Sequence, residues 1–180
     1  MTPPRKAPRP SQILEYHERM VEALRVLGRR FEEVREDTRS PFHGCSRQEL
    51  DLALEALRTE LDEQVVLMLV ASIEAVVRDD YAARLADPTK TAVFERFRIL
   101  QKRYDDRVPF EEILDVWKEE AKIPEEVGML KQLYVYRHWL AHGRRFTNKS
   151  GVQPYPKSSK NVIEAFVAAV QQHTPDFPRR

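Results

Sequence analysis

The feature that most constrains this chain is one long helical pattern lying between Pro41 and Pro88. It opens near Ser46, where Ser46, Arg47, Gln48 and Glu49 have the S-x-x-E form of a capping box. It continues to about Ala86, with the apolar run Val65 to Ile73 at its middle. A pattern this long leaves room for a break, expected near Glu60. Strand-like alternation is scarce, and only five glycines occur in 180 residues. The other prolines also fall at boundaries. Pro109 and Pro124 each open a helical pattern with two acids in its first turn, Glu111 and Glu112 in one and Glu125 and Glu126 in the other, where they complement the helix dipole.

Five further helices are expected from the remaining patterns. A first runs from about Ser11 to Asp37, with Ile13, Met20, Leu24, Leu27 and Phe31 as its apolar stripe. Others cover about Thr89 to Asp105, a short stretch from Pro109, Pro124 to Gly143, and about Ser159 to His173, with Pro154 and Pro156 in the loop before the last. The fold class is therefore all-α, a single-domain bundle of five to seven helices over residues 11–174. Residues 1–10, with four prolines, are expected to form an extended basic tail, and residues 175–180 a C-terminal tail.

Charge and cysteine usage exclude some classes. The formal net charge is +1, so global charge says nothing about nucleic acid and only local clustering can. Cys45 is the single cysteine, which rules out an intrachain disulfide and suits a reducing cytosol. The longest apolar run is about half of the roughly 20 residues that a membrane helix needs. The N-terminal residues carry no apolar stretch of the signal-peptide kind. A cytoplasmic protein that avoids membranes is the expectation. No metal site and no cofactor is expected, because metal-ligand spacings and glycine-rich phosphate loops are missing. His17, His43 and His173 read as surface residues, and the acidic stretches EEVRED and RTELDEQ as solvated helix faces.

Function is written mainly in Val135 to Arg145, VYRHWLAHGRR. At about 100° per residue, Arg137 falls between Leu130 at about +20°, Leu133 at about −40°, Tyr134 at about +60° and Leu140 at about −60°. It therefore points along the middle of an apolar arc. His138 and His142 form an i, i+4 pair at the edge of that arc. An unpaired guanidinium there costs several kcal/mol in desolvation. Three accounts stand open: the side chain snorkels to water, it forms a structural ion pair, or it lines a cleft that does chemistry. Glu74, placed mid-face on the long helix by the same reckoning, is the candidate partner, and Arg78 competes for its carboxylate at i+4.

Arg137 and His142 enclose four residues, R-x4-H, followed by Gly143. In this setting the segment resembles the signature of the HEPN superfamily, all-helical domains that include many metal-independent endoribonucleases, and LYVYRHWLAHG is most similar to the RiboL-PSP-HEPN branch. His138 stands where asparagine is commonest in that family. Glu74, within ASIEAVVRDDY, resembles its recurrent acidic residue. Arg144 occupies the position where some members carry a tyrosine that a partner nucleotidyltransferase modifies, so that form of regulation is not expected. The resemblance implies cleavage of RNA by its own 2′-OH to leave a 2′,3′-cyclic phosphate and a 5′-OH. It assigns proton transfer to His142, a phosphate clamp to Arg137, an orienting or second proton-transfer group to His138 and an orienting role to Glu74. It further implies a homodimer with a composite cleft, a role as toxin or phage-defence effector, and a regulatory partner such as an antitoxin. A non-catalytic helical module that binds RNA or protein is the alternative.

The stretch after the motif points to RNA independently. Arg137 to Lys160 contains six basic residues and no acid. Arg144, Arg145, Lys149, Lys157 and Lys160 are the expected phosphate contacts, with Phe146, Tyr155 and Trp139 as candidate base-stacking rings.

Overall fold

The computed structural model describes residues 8–87, 91–143, 147–148, 150–151 and 153–178, the side chain of Asp106 excepted. Its described residues form seven α-helices and no strand. These are α1 (Pro10–Arg29), α2 (Phe31–Glu36), α3 (Arg47–Ala86), α4 (Ala92–Tyr104), α5 (Phe110–Glu120), α6 (Pro124–Ala141) and α7 (Pro156–His173), with a 3-10 turn at Asp105–Arg107. None is long and apolar enough to cross a membrane.

The 40-residue α3 is the axis of the bundle, and α1, α4, α5, α6 and α7 all pack on it. It runs unbroken through Glu60. Its start is fixed reciprocally: the Ser46 hydroxyl accepts from the Glu49 N–H, and Glu49 Oε2 accepts from the Ser46 N–H at 2.7 Å. The Ser46 N–H and the Ser46 hydroxyl both donate to Glu49 Oε2 at 2.7 Å and hold its carboxyl below the ordinary range. Val65, Val66, Leu69, Val70, Ile73, Val76 and Val77 are buried along α3. An aromatic cluster closes the core at its C-terminal half. Phe97 packs on Tyr81 at 4.9 Å and on Trp117 at 6.0 Å, both edge-on.

Three further boundaries change. The pattern read as one helix from Ser11 to Asp37 breaks after Arg29, where Arg30 leaves helical geometry at ψ 36°, and Arg47 of α3 donates to the Gly28 carbonyl of that last turn at 3.0 Å. The last helix begins at Pro156 instead of Ser159. Proline suits the first helical position, and the Ser158 hydroxyl accepts from the Tyr155 N–H at 3.1 Å, tying that turn. The segment read as a C-terminal tail carries Phe177 into the core. That ring is 1% exposed and meets Trp117 at 5.5 Å and Phe166 at 6.2 Å. Arg84 holds the same segment, bonding Asp80 at 3.0 Å and Asp176 at 3.2 Å while lying over Trp117. Burial raises the Asp80 carboxyl above its ordinary range, against the pull of Arg84.

At the other end, residues 1–7 of the expected tail lie outside the described residues, and the Pro8 carbonyl accepts from Ser72 at 2.9 Å. His17 also departs from the surface role read for it. Its Nε2 lies 2.6 Å from Asp62, and the half-buried pair ties α1 to α3.

Candidate active site at the end of α6

Helix α6 delivers the motif to a place where the core opens to water. Its inner arc is closed below by Val127, Leu130, Leu133 and Tyr134, all buried. One turn further on, Arg137 and His138 are half-buried, and His142 is exposed. The helix ends there because Gly143 adopts φ +69°, a conformation that L side chains rarely take. The His142 and Gly143 N–H groups bond back to the His138 and Leu140 carbonyls at 3.0 Å each.

The two histidines lie on one stripe with Tyr134, at i, i+4 and i+8. The Tyr134 ring meets His138 edge-on, centroids 4.7 Å apart at 86°. His138 in turn stacks on His142, 5.7 Å away and within 12° of parallel. On its other side Tyr134 packs against Phe110 at the start of α5, 4.7 Å away. Its phenol is pushed above the ordinary range, first by burial and then by the Glu74 and Glu111 carboxylates, with Arg78 and Arg137 opposing. Those four charges therefore all act on the Tyr134 hydroxyl, from α3, α5 and α6. Arg137 and the histidine stripe share one neighbourhood through this ring.

The expected contact between Arg137 and Glu74 is not made. Arg78 takes the carboxylate, its Nε 3.0 Å from Glu74 Oε1. Arg78 also donates to the Val108 carbonyl at 3.2 Å and lies over the Phe110 ring. The physical reason is the position of Glu74 on α3. The buried arc of that helix is centred nearer Ile73 and Val77, so Glu74 sits at its edge, 17% exposed, and turns along the helix to its i+4 neighbour. Glu74 thus anchors Arg78 to the α3–α5 junction. Arg137 has no carboxylate partner and no side-chain hydrogen bond among the described residues.

Of the residues read as phosphate contacts, Arg144, Arg145 and Lys149 lie outside the described residues, as does Phe146. Lys157 is exposed. Lys160 is held by Glu164 at 2.5 Å. Glu60 and Glu63 of α3 line a hollow with Leu140 and Gly143, so two acids from another helix face the end of α6, which linear counting omitted. Trp139 packs half-buried against the core and the Tyr136 ring, 5.5 Å away, which removes it as an open stacking platform. Tyr155 is 61% exposed and lines a cleft of about 730 Å³ between α1 and α3, with Arg25, Arg47, Arg58 and Leu54 around it.

Sequence reasoning counted Tyr134 as one more apolar residue of the arc. The i+4 and i+8 spacing to two histidines is the signal that sets it apart. Glu111 was read only as a first-turn acid. No family model, curated protein or solved structure matches this chain.

Proposed function

We propose that this chain is a HEPN-type endoribonuclease that cuts RNA without a metal, acting as a toxin or phage-defence effector. The observation that carries the reading is Arg137: a half-buried cation in an apolar arc, without an acceptor among the described residues and one turn from a histidine pair. A half-buried guanidinium without a carboxylate partner among the described residues is poised for a ligand anion, and its planar fork fits two phosphate oxygens.

RNA supplies its own nucleophile. One imidazole of the His138–His142 pair takes the 2′-OH proton as O2′ attacks phosphorus. Arg137 neutralises the charge that builds on the non-bridging oxygens. The bond from phosphorus to O5′ breaks, and a protonated imidazole gives its proton to O5′. The products are a 2′,3′-cyclic phosphate and a 5′-OH. Histidine suits both transfers because it changes charge near neutral pH. His142, exposed at the helix end, meets the substrate first; His138 backs it. Glu74 acts at one remove, through Arg78. A second copy of the chain laid over this open end would complete the cleft, and an antitoxin-like partner would restrain it.

The test compares wild type with Arg137→Met and His142→Ala on an RNA and on the same RNA carrying one 2′-deoxy nucleotide at the cut. Both variants are expected to fold and to lose cleavage by about a hundredfold or more. The 2′-deoxy site is expected to resist. Wild-type cleavage by His142→Ala sinks the assignment, and RNA binding without cleavage by wild type favours the binding module.

A further inference from the structure

The Tyr134 ring links the buried core to the histidine stripe. It lies between Phe110 and His138 at 4.7 Å on each side, and its hydroxyl feels Glu74, Glu111, Arg78 and Arg137. An exposed histidine at a helix end has wide rotamer freedom, and proton transfer needs that freedom removed. We infer that Tyr134 is the positioning residue of this site: its ring, braced by Phe110, fixes the plane of His138, and through the stack the plane of His142.

The geometry explains why a ring is required. An edge-to-face contact at 86° fixes the tilt of His138, since the ring edge meets the face of its neighbour along one direction. His138 then offers His142 a flat face, and the 12° angle between them is the consequence. Tyr134 cannot drift, because it is 6% exposed and its far side rests on a Phe110 that is fully buried. Phe110 is in turn covered by Arg78, which Glu74 and the Val108 carbonyl hold. The chain of support thus runs from the α3–α5 junction to the exposed imidazole. It gives the half-buried Glu74–Arg78 pair a purpose that its own chemistry does not require.

The catalytic consequence rests on the ribonuclease reading; the geometric part does not. The experiment therefore reads both. Histidine Cε1–H resonances are recorded by NMR for wild type, Tyr134→Phe and Tyr134→Leu, and kcat and KM for RNA cleavage are measured on the same samples. Tyr134→Phe keeps the ring, so its histidine resonances and kcat are expected to match wild type. Tyr134→Leu is expected to move the His138 and His142 resonances, leave His43 and His173 in place and lower kcat about 10- to 100-fold with KM within about threefold. Should Tyr134→Leu fail to fold, Phe110→Leu removes the brace from the far side and is expected to move the same two resonances. Unmoved His138 and His142 resonances in a folded Tyr134→Leu overturn the inference. So does a Tyr134→Phe that loses as much kcat as Tyr134→Leu, because the hydroxyl would then be the working part. Moved histidines in a protein whose wild type cuts no RNA uphold the positioning and refute the ribonuclease.

Discussion

Replacing Arg137 by methionine separates a ligand-binding arginine from a structural one. Methionine keeps the unbranched stem that packs in the apolar arc between Leu133 and Tyr134 and removes only the charged fork. If Arg137 held a buried ion pair, losing one partner would cost about 3–5 kcal/mol. Here the guanidinium has no carboxylate among the described residues and is already half-desolvated. Its removal relieves a burial cost and breaks no pair among the described residues, so stability is expected to stay within about 1 kcal/mol of wild type. For a chain of this length, about 2–4 °C of melting temperature corresponds to each kcal/mol. The expected shift is therefore about 4 °C at most, against about 6–20 °C for a structural pair. Urea unfolding followed by circular dichroism measures it, with an unchanged m-value confirming that the same surface unfolds. A loss of about 3 kcal/mol or more would refute the reasoning, because it would mean that Arg137 has an anionic partner within the protein.

Two other perturbations follow from the core. Phe177→Ala empties a fully packed site between Trp117 and Phe166 and is expected to cost about 3–5 kcal/mol in the same urea titration; a cost below about 1 kcal/mol would mean that residues 175–178 are a tail after all. At high pH the buried phenols of Tyr134 and Tyr136, raised above the ordinary range by burial, stay protonated in the folded chain while those of the unfolded chain ionise. Stability is therefore full below the ordinary phenol value and falls as pH rises through it toward the folded values. Absorbance at 295 nm should show part of the tyrosine titration delayed until unfolding, and a single early titration of all six tyrosines would contradict the burial.

Much of the helical layout was legible because its signals are local. Ser46 and Glu49 cap α3 through contacts three residues apart, and Pro109 and Pro124 mark helix starts through fixed φ. The break after Arg29 was not legible, since no proline marks it and its partner Arg47 lies on another helix. The pocketing of Phe177 depends likewise on Trp117 and Phe166, which are distant in sequence. Within the site, Arg137 was placed correctly in the apolar arc because α6 buries a broad, regular face around it. Glu74 was misplaced because angular counting from a single residue does not locate the centre of the buried arc on a 40-residue helix. The histidine stripe was visible as spacing, but its contact with Tyr134 was not, since that phenol looks like any core aromatic in a linear pattern.

The claim at the centre is that the half-buried Arg137 guanidinium and an aromatic-braced imidazole pair work on one phosphodiester. The most direct measurement is incubation of the purified protein with mixed RNA in EDTA, followed by chemical identification of both new ends. The account predicts 2′,3′-cyclic phosphate on the upstream fragment and a free 5′-hydroxyl on the downstream one. Fragments ending in 3′-hydroxyl and 5′-phosphate, or RNA left intact, would contradict it.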